Sequence, residues 1–257
     1  MMAGQTLGKY RKNYYSQNGE DGVLEEILKR LKITDGFCVE FGAWDGKHLS
    51  NTYHLIEQGT WKGLYIEADA AKFAELTRNE MVLSGRVIPV NAYVAAQGRA
   101  TLDNILAKYG VPRDFELLSI DIDGDDLNVW KSVVAHRPRI VIIEIDSDID
   151  PTVSRLLRRG HPERSFANTL TVGQQKGYAL VCHTGNMFFV ANELVGELGI
   201  EDEIADPVAL FCDEWMNKDP RRLRRFLRDH LRPLRAAFSS KRVSRRLPSG
   251  EGRFGSG

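Results

Sequence analysis

The chain has 257 residues, 42% of them hydrophobic, and its 35 basic side chains balance 35 acidic ones. That is enough for one full α/β domain with a sizeable core, and the composition is that of an ordinary soluble protein. The apolar runs, such as 140–143, are far too short to span a bilayer, and the polar stretch 1–18 has no apolar core of the kind a signal peptide needs. Three widely spaced cysteines, Cys38, Cys182 and Cys212, fit neither a disulfide framework nor a zinc site, and point to reduced thiols in the cytoplasm.

The zero net charge hides an asymmetry. Twelve Lys/Arg and two Asp/Glu fall in 221–257, which leaves 23 basic against 33 acidic residues in 1–220, a balance of −10. An acidic body with a basic tail implies two units with different partners.

In chain order, Ser16-Gln17-Asn18-Gly19-Glu20-Asp21 precedes apolar residues at helical spacing, Val23, Leu24, Ile27, Leu28 and Leu31, with capping side chains in front. Residues 37–41 read as a first strand, 49–58 as a helix, 63–67 as a second strand and 70–83 as a helix. A third strand is expected over 86–94 and a helix over 101–109, stopped by Gly110-Val111-Pro112. The fourth strand, 115–122, runs into Asp121-Ile122-Asp123-Gly124-Asp125-Asp126, followed by a helix over 127–134 and a very apolar fifth strand over 139–145. After a polar, Arg-rich stretch comes a helix from Ser165, and then 178–183 and 187–191 flank Thr184-Gly185-Asn186 as a β-hairpin. Strands alternating with helices and closing on a hairpin give an α/β fold: a doubly wound, Rossmann-like sheet with a terminal antiparallel hairpin. No internal repeat is present.

The motif Val39-Glu40-Phe41-Gly42-Ala43-Trp44-Asp45-Gly46 reads as a buried strand breaking into a glycine turn, and Leu64-Tyr65-Ile66-Glu67-Ala68-Asp69 as the next strand ending in acid. Such a pair holds a nucleoside: glycines let the backbone approach, and a carboxylate at the second tip accepts from the ribose hydroxyls. A dinucleotide site prefers glycine where Trp44 stands, so a pyrophosphate is disfavoured. The acids Glu40, Asp45 and Glu67 suit one nucleoside with a cationic end, the character of S-adenosylmethionine. A nucleotide-dependent oxidoreductase is the second enzymatic reading, and Trp44 argues against it.

The chain resembles the FkbM-type S-adenosylmethionine-dependent methyltransferases over roughly 14–191. The resemblance rests on Ser16-Gln17-Asn18-Gly19-Glu20-Asp21-Gly22, Val39 to Gly46 as quoted above, Leu118-Ser119-Ile120-Asp121-Ile122-Asp123-Gly124 and Ile142-Ile143-Glu144-Ile145. It implies that Glu40, Gly42 and Gly46 form the cofactor loop, that Glu67 binds the ribose, and that Asn91-Ala92 lies near the adenine. Together with Ala43, Asp45, Ala68, Asp121, Ser50 and Asn51, these make the candidate cofactor-binding set. Ser50-Asn51 either touches the amino-acid end of the cofactor or caps the next helix.

Asp121 and Asp123 at the end of strand four, and Glu144 and Asp146 at the end of strand five, converge on the crevice of an open α/β sheet. Carboxylates so close repel one another unless something positive sits among them, and a hard divalent cation, most economically Mg²⁺, is the expectation. The arrangement is similar to that of metal-dependent O-methyltransferases; a metal-free version has Asp121 meet the sulfonium end of the cofactor or the acceptor directly. An acceptor hydroxyl needs a base to take its proton. His183 is the first candidate, with Asp123 as the second catalytic residue and His48 and His54 as weaker bases. The alternative reading of Asp125 and Asp126 is helix capping.

Arg155, Arg158, Arg159, His161 and Arg164 form either a solvated face or a grip on an anionic acceptor. Leu223, Phe226, Leu227, His230, Leu231 and Leu234 recur at helical spacing between arginines, which suits an anionic membrane surface, a second subunit or the acidic body itself. The expected organisation is a methyltransferase domain over 1–215, a basic amphipathic helix over 216–237 and a disordered tail over 238–257. The expected activity is O-methylation of a small-molecule or glycan hydroxyl. The competing expectation is a non-catalytic scaffold or nucleic-acid-associated module using the tail, although no interleaved aromatics support base stacking there.

Overall fold

The computed structural model describes residues 7–122, 124–147, 151 and 164–212. The expected segment 216–237, the tail 238–257, Asp123 and the arginines at 155, 158 and 159 lie outside the described residues.

The alternation of apolar runs and amphipathic segments folds as a seven-stranded sheet of order β3-β2-β1-β4-β5-β7-β6. Its strands are β1 (Gly36–Phe41), β2 (Trp61–Glu67), β3 (Val87–Asn91), β4 (Leu117–Ile120), β5 (Ile140–Glu144), β6 (Tyr178–His183) and β7 (Asn186–Ala191). β1 to β5 pair in parallel, and β7 runs antiparallel between β5 and β6. The order reverses between β1 and β4, and that switch point fixes the crevice outside their carboxyl ends. The sequence-derived fold class therefore holds, with one detail added: the second strand of the hairpin, not the first, joins the parallel sheet.

Both faces of the sheet are covered, and β5 shows why its sequence is so apolar. Ile140, Val141, Ile142 and Ile143 are all fully buried, alternately facing two cores. Val39, Phe41, Ile120, Val141 and Ile143 pack with Trp130, Phe166 and Phe189 on one face. Cys38, Leu117, Ile140, Ile142 and Phe188 pack with Val23, Leu24 and Ile27 on the other. The last three come from α1 (Glu20–Arg30), whose apolar stripe follows helical spacing. The first face is covered by α5 (Leu102–Lys108), α6 (Asp126–Ser132) and α7 (Phe166–Gln175).

Several boundaries differ from the expectation, each for a local reason. The helix expected over 49–58 is only α2 (Tyr53–Glu57), because Leu49 adopts a left-handed φ of 58°. The helix expected over 70–83 is two, α3 (Ala70–Leu76) and α4 (Glu80–Leu83), since Asn79 turns out of helical geometry and accepts from the Met81 N–H at 2.9 Å. β4 stops at Ile120, so Asp121 begins a loop and does not extend the strand. A final short helix, α8, spans Glu201–Ile204. Among the described residues no helix is long and apolar enough to cross a membrane.

Candidate functional site

A cavity of about 450 Å³ opens at the carboxyl ends of the strands, at the switch point. The turn after β1 supplies Gly42 and Trp44, the end of β2 Glu67 and Ala68, the segment after β3 Ala92, Tyr93 and Val94, and the loop after β4 Asp121, Ile122, Gly124 and Asp125. Glu40, Glu144, Gln17, His48, Leu49 and Lys72 complete much of the wall. Its lining includes five acids, Glu40, Glu67, Asp121, Asp125 and Glu144, and one lysine, Lys72.

The glycine turn is sterically dictated. Gly42 has a φ of 80°, and a Cβ there would lie 1.6 Å from the Asp121 carbonyl oxygen. Only a residue without a side chain lets the tips of β1 and β4 approach this closely. The Gly42 and Ala43 N–H groups donate to the Ile66 carbonyl at 3.1 and 3.2 Å, which ties the turn to β2. Gly46, also left-handed at 78°, packs against Leu76 and does not line the cavity.

Glu67 is the hinge between two loops. Its Oε2 accepts from the Trp44 N–H at 2.8 Å and its Oε1 from the Asp69 N–H at 2.7 Å. The Trp44 N–H is thereby engaged by a carboxylate, in the place where a dinucleotide fold would offer it to a phosphate. The indole Nε1 donates to Glu75 at 3.1 Å, and the Lys72 ammonium lies 4.4 Å from the ring centre. Asn91 is not in the lining; its amide supports the site from behind by donating to the Glu67 carbonyl at 2.8 Å.

Glu40 reaches the cavity wall, but its carboxylate is directed into the protein. It accepts from Ser50 Oγ at 2.8 Å, the Asn51 N–H at 3.2 Å and Thr52 Oγ1. Burial pushes its pKa up, and the hydrogen bonds from Thr52 and Ser50 oppose that rise. Ser50 and Asn51, candidates for direct cofactor contact, are buried beneath the cavity and absent from its lining. Ser50 Oγ accepts from the N–H of Tyr53, the first residue of α2, at 2.9 Å, while the Asn51 amide donates to Ser119 Oγ at 3.1 Å. Asp45 likewise serves its own turn, accepting from the Lys47 and His48 N–H groups at 2.8 and 2.7 Å.

His183 corrects the expected base. It is fully buried, stacked on Phe211 with ring centres 4.9 Å apart, and lies outside the cavity lining. Its Nδ1 accepts from the Cys212 N–H at 3.0 Å, which leaves the proton on Nε2, 3.0 Å from Ser147 Oγ. Burial, reinforced by the charge of Arg11, depresses its pKa to about 3. The lone pair a base needs is already used. His54 is paired with Glu25 at 2.9 Å and stacked on Tyr14, also away from the cavity. The histidine that faces the cavity is His48.

The acid cluster holds a second correction. Among the described residues no group of three or more His, Cys, Asp or Glu is arranged to hold a metal ion. The expected ligands Glu144 and Asp146 meet the Arg164 guanidinium instead. Its Nη2 donates to Glu144 Oε2, and its Nε lies 3.8 Å from both Asp146 Oδ1 and Asp126 Oδ2. Asp126 also accepts from the Ile122 and Gly124 N–H groups at 2.8 and 3.0 Å, shaping the loop after β4 from the first turn of α6. With a guanidinium resident beside them, Glu144 and Asp146 do not fit a divalent cation.

The segment before α1 crosses the same edge of the sheet. Arg11 donates to the His183 carbonyl at 3.1 Å, Thr184 Oγ1 donates to Glu20 at 2.7 Å, and Gln17 between them lines the cavity. Gln17, Leu49, Lys72 and Tyr93 were not singled out as site residues from sequence. Gln17 lies inside the motif 16–22, Tyr93 follows the candidate pair Asn91-Ala92, and Lys72 sits one turn after the acid of β2, which is the signal that could have found them.

No protein-family model matches the chain, and no curated protein matches it. Solved structures to which it is similar include an S-adenosylmethionine-dependent methyltransferase from Aquifex aeolicus, at 10% identity, 64% coverage of this chain, 87% of that one and a TM-score of 0.40. The methyltransferase FkbM from Methylobacillus flagellatus is another, at 14% identity, 72% and 57% coverage and a TM-score of 0.40.

Proposed function

We propose that the chain is an S-adenosylmethionine-dependent methyltransferase acting on a hydroxyl of a small molecule or glycan. The observation that carries this reading is the cavity itself: at the switch point, it combines the Gly42 approach, the Glu67 carboxylate at the tip of β2 and the further acids Asp121 and Asp125 beside a single lysine, Lys72. Its volume of about 450 Å³ is that of a small-molecule site. The negative lining favours a sulfonium and an ammonium and opposes a pyrophosphate.

The residues present fit that cofactor. Each Glu67 oxygen has a lone pair beyond its loop hydrogen bond, free in geometry to accept from a ribose hydroxyl. Ala92, Tyr93 and Val94 offer an apolar wall for a base, and Asp121 and Asp125 complement positive charge. Bound S-adenosylmethionine supplies an electrophilic methyl carbon. The chain's own work is then positioning, with His48 at the cavity wall as the group to take the acceptor proton.

Calorimetry with S-adenosylmethionine and S-adenosylhomocysteine tests the reading. Both should bind in the micromolar range with one site per chain. A folded protein that binds neither would end the proposal.

A further inference from the structure

Three carboxylates from different segments close on one side chain: Asp126 from the start of α6, Glu144 from the end of β5 and Asp146 from the loop beyond. Arg164 at their centre is only 7% exposed. Its main chain takes part too, since the Asp146 N–H donates to the Arg164 carbonyl at 2.8 Å. Of the three acids, only Glu144 lines the cavity.

Carboxylates this close, Asp126 fully buried and Glu144 and Asp146 partly so, need positive charge among them. The Arg164 guanidinium meets that need: its Nη2 donates to Glu144 Oε2, and its Nε lies 3.8 Å from both Asp126 and Asp146.

We propose that Arg164 is the built-in cation of this site, a positioning residue that holds Glu144 at the cavity wall where a divalent metal would otherwise be required. The inference does not depend on the identity of the cofactor. It follows that neutralising Arg164 unmasks a cation site made of the acids it now engages. Lysine, which keeps the charge, leaves the site masked.

Mn²⁺ is the probe, and the six-line paramagnetic resonance signal of the free ion reports binding to the full chain. The wild type and Arg164→Lys are expected to leave the signal undiminished up to about 1 mM Mn²⁺, the weak end of protein carboxylate sites. Arg164→Gln is expected to bind at least about tenfold more tightly, a difference of about 1.4 kcal/mol. Adding Glu144→Gln should remove that gain. Should Arg164→Gln fail to fold alone, millimolar Mn²⁺ restoring its circular dichroism and melting transition supports the proposal, and failure to restore them overturns it. Wild-type binding below about 1 mM that Glu144→Gln abolishes would also overturn it, as would a folded Arg164→Gln that binds no better than wild type.

Discussion

Replacing Glu67 by glutamine separates its two assignments. The carboxylate, 6% exposed, accepts from the Trp44 and Asp69 N–H groups at 2.8 and 2.7 Å. An amide of the same size has one oxygen and one NH₂, so whichever way it turns, one of those backbone donors faces a donor. A hydrogen bond to a charged acceptor contributes about 1.5–3 kcal/mol and a neutral one about 1 kcal/mol. Two charged bonds reduced to one neutral bond lose about 2–5 kcal/mol, and water entering from the cavity recovers part, so a loss of about 2–3 kcal/mol is expected. Urea denaturation should register it as a lower midpoint with an unchanged slope. Titration calorimetry with S-adenosylhomocysteine should register a loss of affinity of about tenfold or more, about 1.4 kcal/mol. A variant with wild-type midpoint and wild-type affinity would refute both assignments. Lost stability with intact affinity would leave Glu67 as a loop clamp only and remove the ribose contact.

Gly42→Ala should destabilise the fold by more than the roughly 1–2 kcal/mol of a left-handed non-glycine residue, because its Cβ also meets the Asp121 carbonyl; a thermal midpoint within error of wild type would contradict the turn geometry. The buried, neutral His183 predicts acid sensitivity. Its folded pKa of about 3 lies below the ordinary value of 6.5, so between these values the unfolded chain binds a proton that the native one does not, and stability falls as pH drops. Wild-type stability should decline below pH 6.5 by about 1.4 kcal/mol per pH unit more steeply than that of His183→Asn; parallel pH curves would count against the buried neutral ring. His48→Ala should lower turnover by about 10²-fold or more while cofactor affinity stays within about twofold, if the cavity histidine is the base; unchanged turnover would exclude it.

The sheet was legible because buried parallel strands leave near-continuous apolar runs, such as 140–143, bounded by turn residues. The break at Asn79 was not, since an asparagine inside an amphipathic stretch reads equally as a polar helix position or a cap. Glu40, Gly42 and Glu67 were found because a strand followed by a glycine turn and a strand ending in acid are local patterns. The partner of the acid cluster escaped because Arg164 lies 20 residues from Glu144 in sequence and meets it only in the folded chain. Histidine assignment failed for the same reason: His183 and His48 look alike in sequence, and burial alone separates them.

The pins between the crossing segment and the hairpin join residues 172 and 164 positions apart, Arg11 to His183 and Thr184 to Glu20. Loop closure over such spans is slow. The parallel core can therefore assemble while this rim is still open, and the ties between the two segments form only when the last two strands dock. A ribosome-bound chain carrying five strands would have the glycine turn and Glu67 in hand, yet no finished vessel around them.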